Sequence, residues 1–195
     1  MLWHKAIGAG GLVGGGGGGG GEVTFVEAVL NNGTFASTIG ADDCVILFQG
    51  KGGSSPSSAP DGFTLLASSV STAFWAAAYY SFGAQSISLT ANYGVAFAFT
   101  GTASAIAPTV ASVEGVDNNA NPPALTGFSE GDMVVAGACF DSVSINSGPT
   151  GFISTLNNRI GAAYKGSTTS TEDPPGFGIS SDDEWIAFTI KVQAG

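Results

Sequence analysis

Three kinds of side chain in this sequence could do chemistry: grouped carboxylates, cysteines and clustered aromatic rings. The carboxylates come as Asp42/Asp43, Asp132/Asp141 and Asp182/Asp183/Glu184. Two carboxyl groups held about 5–10 Å apart across a cleft can hydrolyse a glycoside. An oxygen-rich loop such as 182–184 can take calcium. All three groups also flank turns, where Asp is favoured because its side chain bonds the local backbone. Turn formation is therefore expected here, with no metal and no cofactor. A serine or cysteine nucleophile needs a neighbouring base. The single histidine, His4, lies near the start of the chain, so a Ser/His/Asp or Cys/His set is excluded and no enzyme is expected. Cys44 and Cys139 share no short motif and stand in the apolar runs CVILF and VVAGACF. Two buried thiols are the first expectation and one disulfide is the alternative. Trp75, Tyr79, Tyr80 and Trp185 are candidate ligand or interface aromatics, and a sugar-binding platform is one use of them. Alternation along their strands does not decide which face they line.

Residues 14–21 are eight consecutive glycines. A phosphate cradle needs a defined turn between strand and helix with its Lys and Ser/Thr, and none is present. Polyglycine has nothing to bury and loses the most entropy on ordering. It reads instead as a spacer of up to roughly 25 Å. The spacer carries an apolar head, Met1, Leu2, Trp3 and Ile7, with Leu12 and Val13 as a second foothold. Gly14, Gly17, Gly18 and Gly21 would let this arm lie flat where any side chain would clash. The segment MLWHKAIGAGGLV is faintly similar to a signal peptide. Its apolar part AIGAGGLV has three glycines in eight residues and is only weakly apolar, and no cleavage site follows, so it is expected to be retained.

The chain has 195 residues, enough for one domain with a sizeable core. Charged types are only 10% of it, and the net charge is −10. A surface poor in charge suits contact with other protein, the alternative being a secreted domain coated with Ser and Thr. Five scattered cations, Lys5, Lys51, Arg159, Lys165 and Lys191, make no basic patch. Nucleic acid and anionic membrane are therefore not expected as partners. No window of about 20 apolar residues could span a bilayer as a helix.

The elements that must position these residues are strands. After Glu22, short runs rich in β-branched and aromatic residues recur at 23–30, 44–49, 63–70, 73–82, 86–90 and 93–101. A second series covers 109–116, 132–140, 151–156, 159–166 and 184–192. Turn chemistry (NNG, KGG, APDG) separates them, and no segment has a capped helical period. The two series are an internal repeat. Asp43 aligns with Asp132, Pro60 with Pro149, Gly62 with Gly151 and Phe63 with Phe152, all at an offset of 89. AAAYYSFGA (76–84) resembles GAAYKGSTT (161–169) with a slip of a few residues, and Ala96–Phe97 matches Ala187–Phe188 at an offset of 91. A repeat of this size suits half of a two-sheet sandwich. The expected fold is all-β, a jelly-roll-like β-sandwich (23–195) of two pseudo-repeats, about 23–105 and 109–193, behind a Gly-rich docking arm (1–22). Val45, Phe97, Phe99, Val134, Phe188 and Ile190 are expected to face inward.

The doubled pattern of a Gly-Asp-type turn and apolar run, Pro-x-Gly-Phe, Ala-x-Tyr and a final apolar strand resembles jelly-roll-like modules of tailed-bacteriophage virion structural proteins. Residues 42–47, 60–66, 76–80, 95–99, 131–135, 149–152, 162–165 and 185–190 carry the resemblance. The head followed by glycines, MLWHKAIGAGG, is similar to the start of many phage virion proteins. The pattern departs at Ala41-Asp42-Asp43, where Gly-Asp is usual, and at Phe63, where Trp is commoner. The resemblance implies a virion protein: a head decoration or cement protein, or a tail fibre or spike component. It implies self-association, a trimer first, and contact with other capsid or tail proteins. The alternative is a carbohydrate- or receptor-binding sandwich that takes a host surface glycan.

Overall fold

The computed structural model describes residues 21–53, 58–89, 93–103 and 107–195. The first half holds β1 (Thr24–Leu30), β2 (Gly33–Thr34), β3 (Cys44–Gly52), β4 (Thr64–Val70), β5 (Phe74–Phe82), β6 (Ser86–Ile87) and β7 (Tyr93–Thr100). The second half holds β8 (Thr109–Ala120), β9 (Leu125–Thr126), β10 (Met133–Phe140), β11 (Ile145–Ser147), β12 (Ile153–Asn157), β13 (Ile160–Gly166), β14 (Thr171–Glu172) and β15 (Phe177–Val192).

Each half makes one sheet. The first is ordered β1-β7-β3-β5-β4 and the second β8-β15-β10-β13-β12, all antiparallel, with β11 beside the start of β15. The ribbon β2–β6 recurs as β9–β14. The sheets stack face to face, β3 over β10, with β4 beside β8 and β12 beside β7. A pseudo-twofold axis therefore lies between the sheets, parallel to the strands. The expected sandwich of two repeats is what folds. Strands do not alternate between sheets along the chain as they do in a jelly roll, because each repeat completes its own sheet.

The turns that mark the repeat are the same turn twice. Asp43 Oδ2 accepts from Gly40 N at 2.7 Å, and Asp132 Oδ2 accepts from Ser129 N at 2.8 Å. Phe63 N donates to Pro60 O at 3.0 Å, and Phe152 N to Pro149 O at 3.2 Å. Gly62 and Gly151 between them have φ of 80° and 83°, the left-handed region that glycine enters without strain.

The ladders correct two of the sequence alignments. Cys44 faces Phe82 and Phe99, while Met133 faces Gly166 and Val192. Phe97 is thus the counterpart of Ile190, and Tyr80, not Tyr79, is the counterpart of Tyr164. The first slip is by two residues and keeps the side-chain face. The second is by one and reverses it, which is why Tyr79 and Tyr164 lie on opposite faces of their sheets.

Phe97, Phe99, Phe188 and Ile190 point between the sheets as expected, with Ile46, Phe48, Val135 and Ile186. Phe25 stacks on Tyr164 at 4.3 Å and meets Phe97 edge-on at 5.7 Å. Val45 corrects the inward set: it faces outward, under a second apolar layer with Phe35, Ile39, Leu47 and Trp75. Val134, flanked by the inward Met133 and Val135, also turns outward and is still fully buried. Loops cover both outer faces, so the central strands are apolar throughout and their alternation is erased.

Candidate functional site

The arm is rooted at one end of the sandwich, where both pseudo-repeats meet. Val23 N donates to Gly131 O at 2.9 Å, just ahead of β10. Gly101 takes φ 73°, and a Cβ there would stand 2.4 Å from Glu22 O. At Gly131 (φ 91°) a Cβ would stand 3.7 Å from Glu22 Cα and 3.4 Å from the Ala194 methyl. Thr102 bridges to Ala194, and Gly195 N donates to Gly101 O at 3.0 Å. Two glycines thus form a notch that holds Glu22 and Val23, the first residues of the sandwich. Gly21 is exposed beside it, with nothing within 4 Å of where its Cβ would be. Met1, Leu2, Trp3, Ile7, Leu12, Val13, Gly14, Gly17 and Gly18 lie outside the described residues.

The aromatic set is not brought together. Trp75 and Tyr79 are buried on the outer face of the first sheet, and Trp185 on the outer face of the second. Trp185 lies flat over Gly115, where a Cβ would meet the ring at 2.2 Å, and its Nε1 donates to Asp117 Oδ1 at 2.9 Å. Tyr80 packs between the sheets, edge-on to Phe82 at 5.9 Å. The four rings therefore form no shared platform; three are core and the fourth is half-buried.

The carboxylate groups separate as well. Asp132 and Asp141 stand at opposite ends of β10 and are no pair. Asp132 is buried, and its Oδ1 accepts from Ala194 N at 2.9 Å, which ties the C-terminal tail to the arm end. At the far end, Asp183 accepts from Ser142 N and Oγ and from Val143 N. Glu184 reaches across the sandwich to the hydroxyls of Ser71 and Thr72, which hold its carboxyl below the usual range. Burial raises Asp141, with the neighbouring Asp183 and Glu184 adding to it and Arg159 opposing. Arg159 donates to Asp141 O and lies over the Tyr93 ring at 5.8 Å. A small void at this end is lined by Gly50, Tyr93, Cys139, Asp141 and Arg159. Among the described residues no three His, Cys, Asp or Glu side chains converge as metal ligands.

Cys44 and Cys139 are free thiols at opposite ends of the inner core. Burial pushes Cys44 up to about 12 and raises Cys139 too, so neither is a thiolate at neutral pH. Glu172 is the buried charge with a full set of partners. Burial alone would raise its pKa. Lys165 Nζ at 2.7 Å, the Thr168 and Thr169 amides and the Ser167 hydroxyl bring it down to about 2. It locks the 167–172 turn beside an open groove of 410 Å³ lined by Phe128, Ser129, Glu130 and residues 167–170.

The feature that sequence reasoning missed is the set of sheet edges. β1 and β4 each carry a bulge, at Phe25/Glu27 and Leu65/Ala67, and β12 has five residues. β8 runs in unbroken register from Thr109 to Asp117 against β15. Its other side has no strand partner among the described residues, and Val113 and Val116 are exposed on it. The signal was present as TVASVEGV, but an edge is a property of sheet order, which no local pattern carries. No family model, no curated protein and no solved structure matches the chain.

Proposed function

We propose that this chain is a non-enzymatic structural module that assembles through its N-terminal arm. The resemblance noted in the sequence makes a bacteriophage particle the setting, as head decoration, cement, or part of a fibre or spike. The observation that carries the reading is the fixed root of the arm. Glu22 and Val23 are held in a notch of Gly101 and Gly131 at the end of a sandwich buried on both faces of each sheet. A tether projecting from a pinned root on a rigid body is suited to docking that body on a partner. Burial of Trp75, Tyr79 and Trp185 favours this over a carbohydrate module built on those rings.

The test is Gly17→Val in the full chain. Assembly, read as solution mass or retention on a partner lattice, weakens while the melting temperature stays within about 1 °C, because the first strand of the sandwich begins only at Thr24. A large drop in melting temperature with assembly unchanged would refute the division of labour between arm and sandwich.

A further inference from the structure

We infer that the open edge of β8 receives an added strand, and that this strand is the apolar head, residues 1–13, of a second copy's arm. The inference rests on the assembly role of the arm and says where the arm lands. An unpaired edge is a row of free backbone donors and acceptors, and proteins blunt such rows with bulges, short strands or charge. Three of the four sandwich edges here are blunted by a bulge or by shortness; β8 has neither over 109–117, and its edge devices are the charges of Glu114 and Asp117. It is also the longest edge, and eight of its 12 residues are exposed. Added strands gain affinity from the backbone and specificity from alternate side chains. Val113 and Val116 offer apolar contact on that edge.

Charge and reach choose the occupant. All 15 acidic residues lie between Glu22 and Glu184, whereas the first 21 residues have none and carry Lys5 and His4. β8 presents Glu114 and Asp117, so the arm meets opposite charge. A second β8 would bring its own carboxylates beside them, which is unfavourable across a strand pair. With residues 1–13 laid on the edge, the spacer is residues 14–21, which extends to roughly 25 Å, enough to step from the root at the end of one sandwich to the edge of a copy beside it.

The experiment compares three full-length proteins by light scattering and amide hydrogen exchange: wild type, Trp3→Asp, and Val113→Lys/Val116→Lys. The substituted valines are exposed, so melting temperatures should match the parent. The expected result is an oligomeric wild type whose β8 amides are protected. Both variants should lose that protection and weaken association by about tenfold or more, the equivalent of one lost anchor. If Trp3→Asp dissociates the oligomer and the valine pair does not, β8 is not the docking edge, although the assembly role of the arm stands. If only the valine pair dissociates it, a second β8 is the occupant and the inference falls. A monomer whose β8 protection is lost in Trp3→Asp identifies the chain's own arm, and overturns the second copy. If neither variant changes mass or protection, the inference and the arm reading both fall.

Discussion

Gly137→Ala tests the stacking of the two sheets at its tightest point. Gly137 lies on β10 facing the first sheet, and a Cβ there would stand 2.4, 2.5 and 2.7 Å from three carbons of the Phe48 ring. Ordinary carbon contacts are about 3.5–4.0 Å, so the ring must retreat by roughly 1 Å. Phe188, opposite Gly137 on β15, flanks that ring with its centroid 5.9 Å away and leaves it less room to shift. Overpacking of this kind costs about 1–3 kcal/mol, and replacing a mid-strand glycine returns about 0.5–1 kcal/mol. The net loss is therefore about 1–2 kcal/mol, a fall in Tm of roughly 2–8 °C for a chain of this length. Phe48→Ala alone should cost about 3–5 kcal/mol. In that background the methyl added at position 137 enters space the ring has left, so its cost should vanish or reverse. Denaturant unfolding of the four proteins gives the coupling, expected at about 1–3 kcal/mol. Additivity within about 0.3 kcal/mol would mean that Phe48 does not lie over Gly137, and the facing of β3 on β10 would be wrong.

Two further outcomes follow from single sites. Gly101→Ala meets both a left-handed φ and the Glu22 carbonyl, whereas Gly62→Ala meets a similar φ with nothing within 4 Å. Unfolding curves should show a loss of about 1–2 kcal/mol for Gly62→Ala from backbone strain alone, and a clearly larger loss for Gly101→Ala. Equal losses would remove the notch from the account of the arm root. Glu172 sits at about 2, below its ordinary 4.5, so its stabilisation is whole above about pH 4.5 and fades as pH falls towards 2. The shift corresponds to about 3 kcal/mol before screening at the partly exposed Lys165, and about 1–2 kcal/mol after it. Glu172→Gln should lose that amount at pH 7 and flatten stability between pH 4.5 and 2. An acid limb as steep as the parent's would place the titrating group elsewhere.

Much of the fold was legible because its punctuation is chemical. Asp43 and Asp132 were readable as turn residues, and both cap the backbone three residues earlier. Pro60-Asp-Gly-Phe and Pro149-Thr-Gly-Phe were readable as the same turn, and in both the glycine is left-handed. Strand positions came from β-branched and aromatic runs, and the main ones agree to within a few residues, apart from β15. That strand starts at Phe177 because Phe177 and Gly178 pair with β8 and Ile179 with β11, and because beyond the break at 180–182 Asp183 and Glu184 are held by the β8 ladder and their side-chain bonds, not by an apolar face. Facing was not legible. Val45 and Val134 are as buried as Ile46 and Val135, so period two leaves no trace in CVILF or MVVA. The Tyr79/Tyr164 slip has the same origin, since adjacent Tyr79 and Tyr80 offer a sequence match in either register. Only the ladder decides.

The duplication also says where to look for what distinguishes the chain. Turns, ribbons and sheet order are shared by the halves, so they serve the frame. Inside the core the halves have diverged in complementary ways. Phe48 lies over its own counterpart Gly137, and Gly50, whose Cβ would be 3.3 Å from Cys139 Sγ, lies against its counterpart. Two identical halves would set ring against ring, or leave a void on the axis. A single chain can place large against small, which native packing density requires. On the surface the divergence is at the first strand of each half. β1 follows the glycine arm and is bulged, whereas β8, in the equivalent place, is longer, unbulged over 109–117 and unpaired on its outer side. Core contact does not separate the two strands, because Phe25 of β1 and Val110 of β8 both pack against the inner core. An edge kept open in one half, and an arm attached only to the other, are complementary departures from one symmetry, and they are the two features that the proposed docking of arm on edge would use.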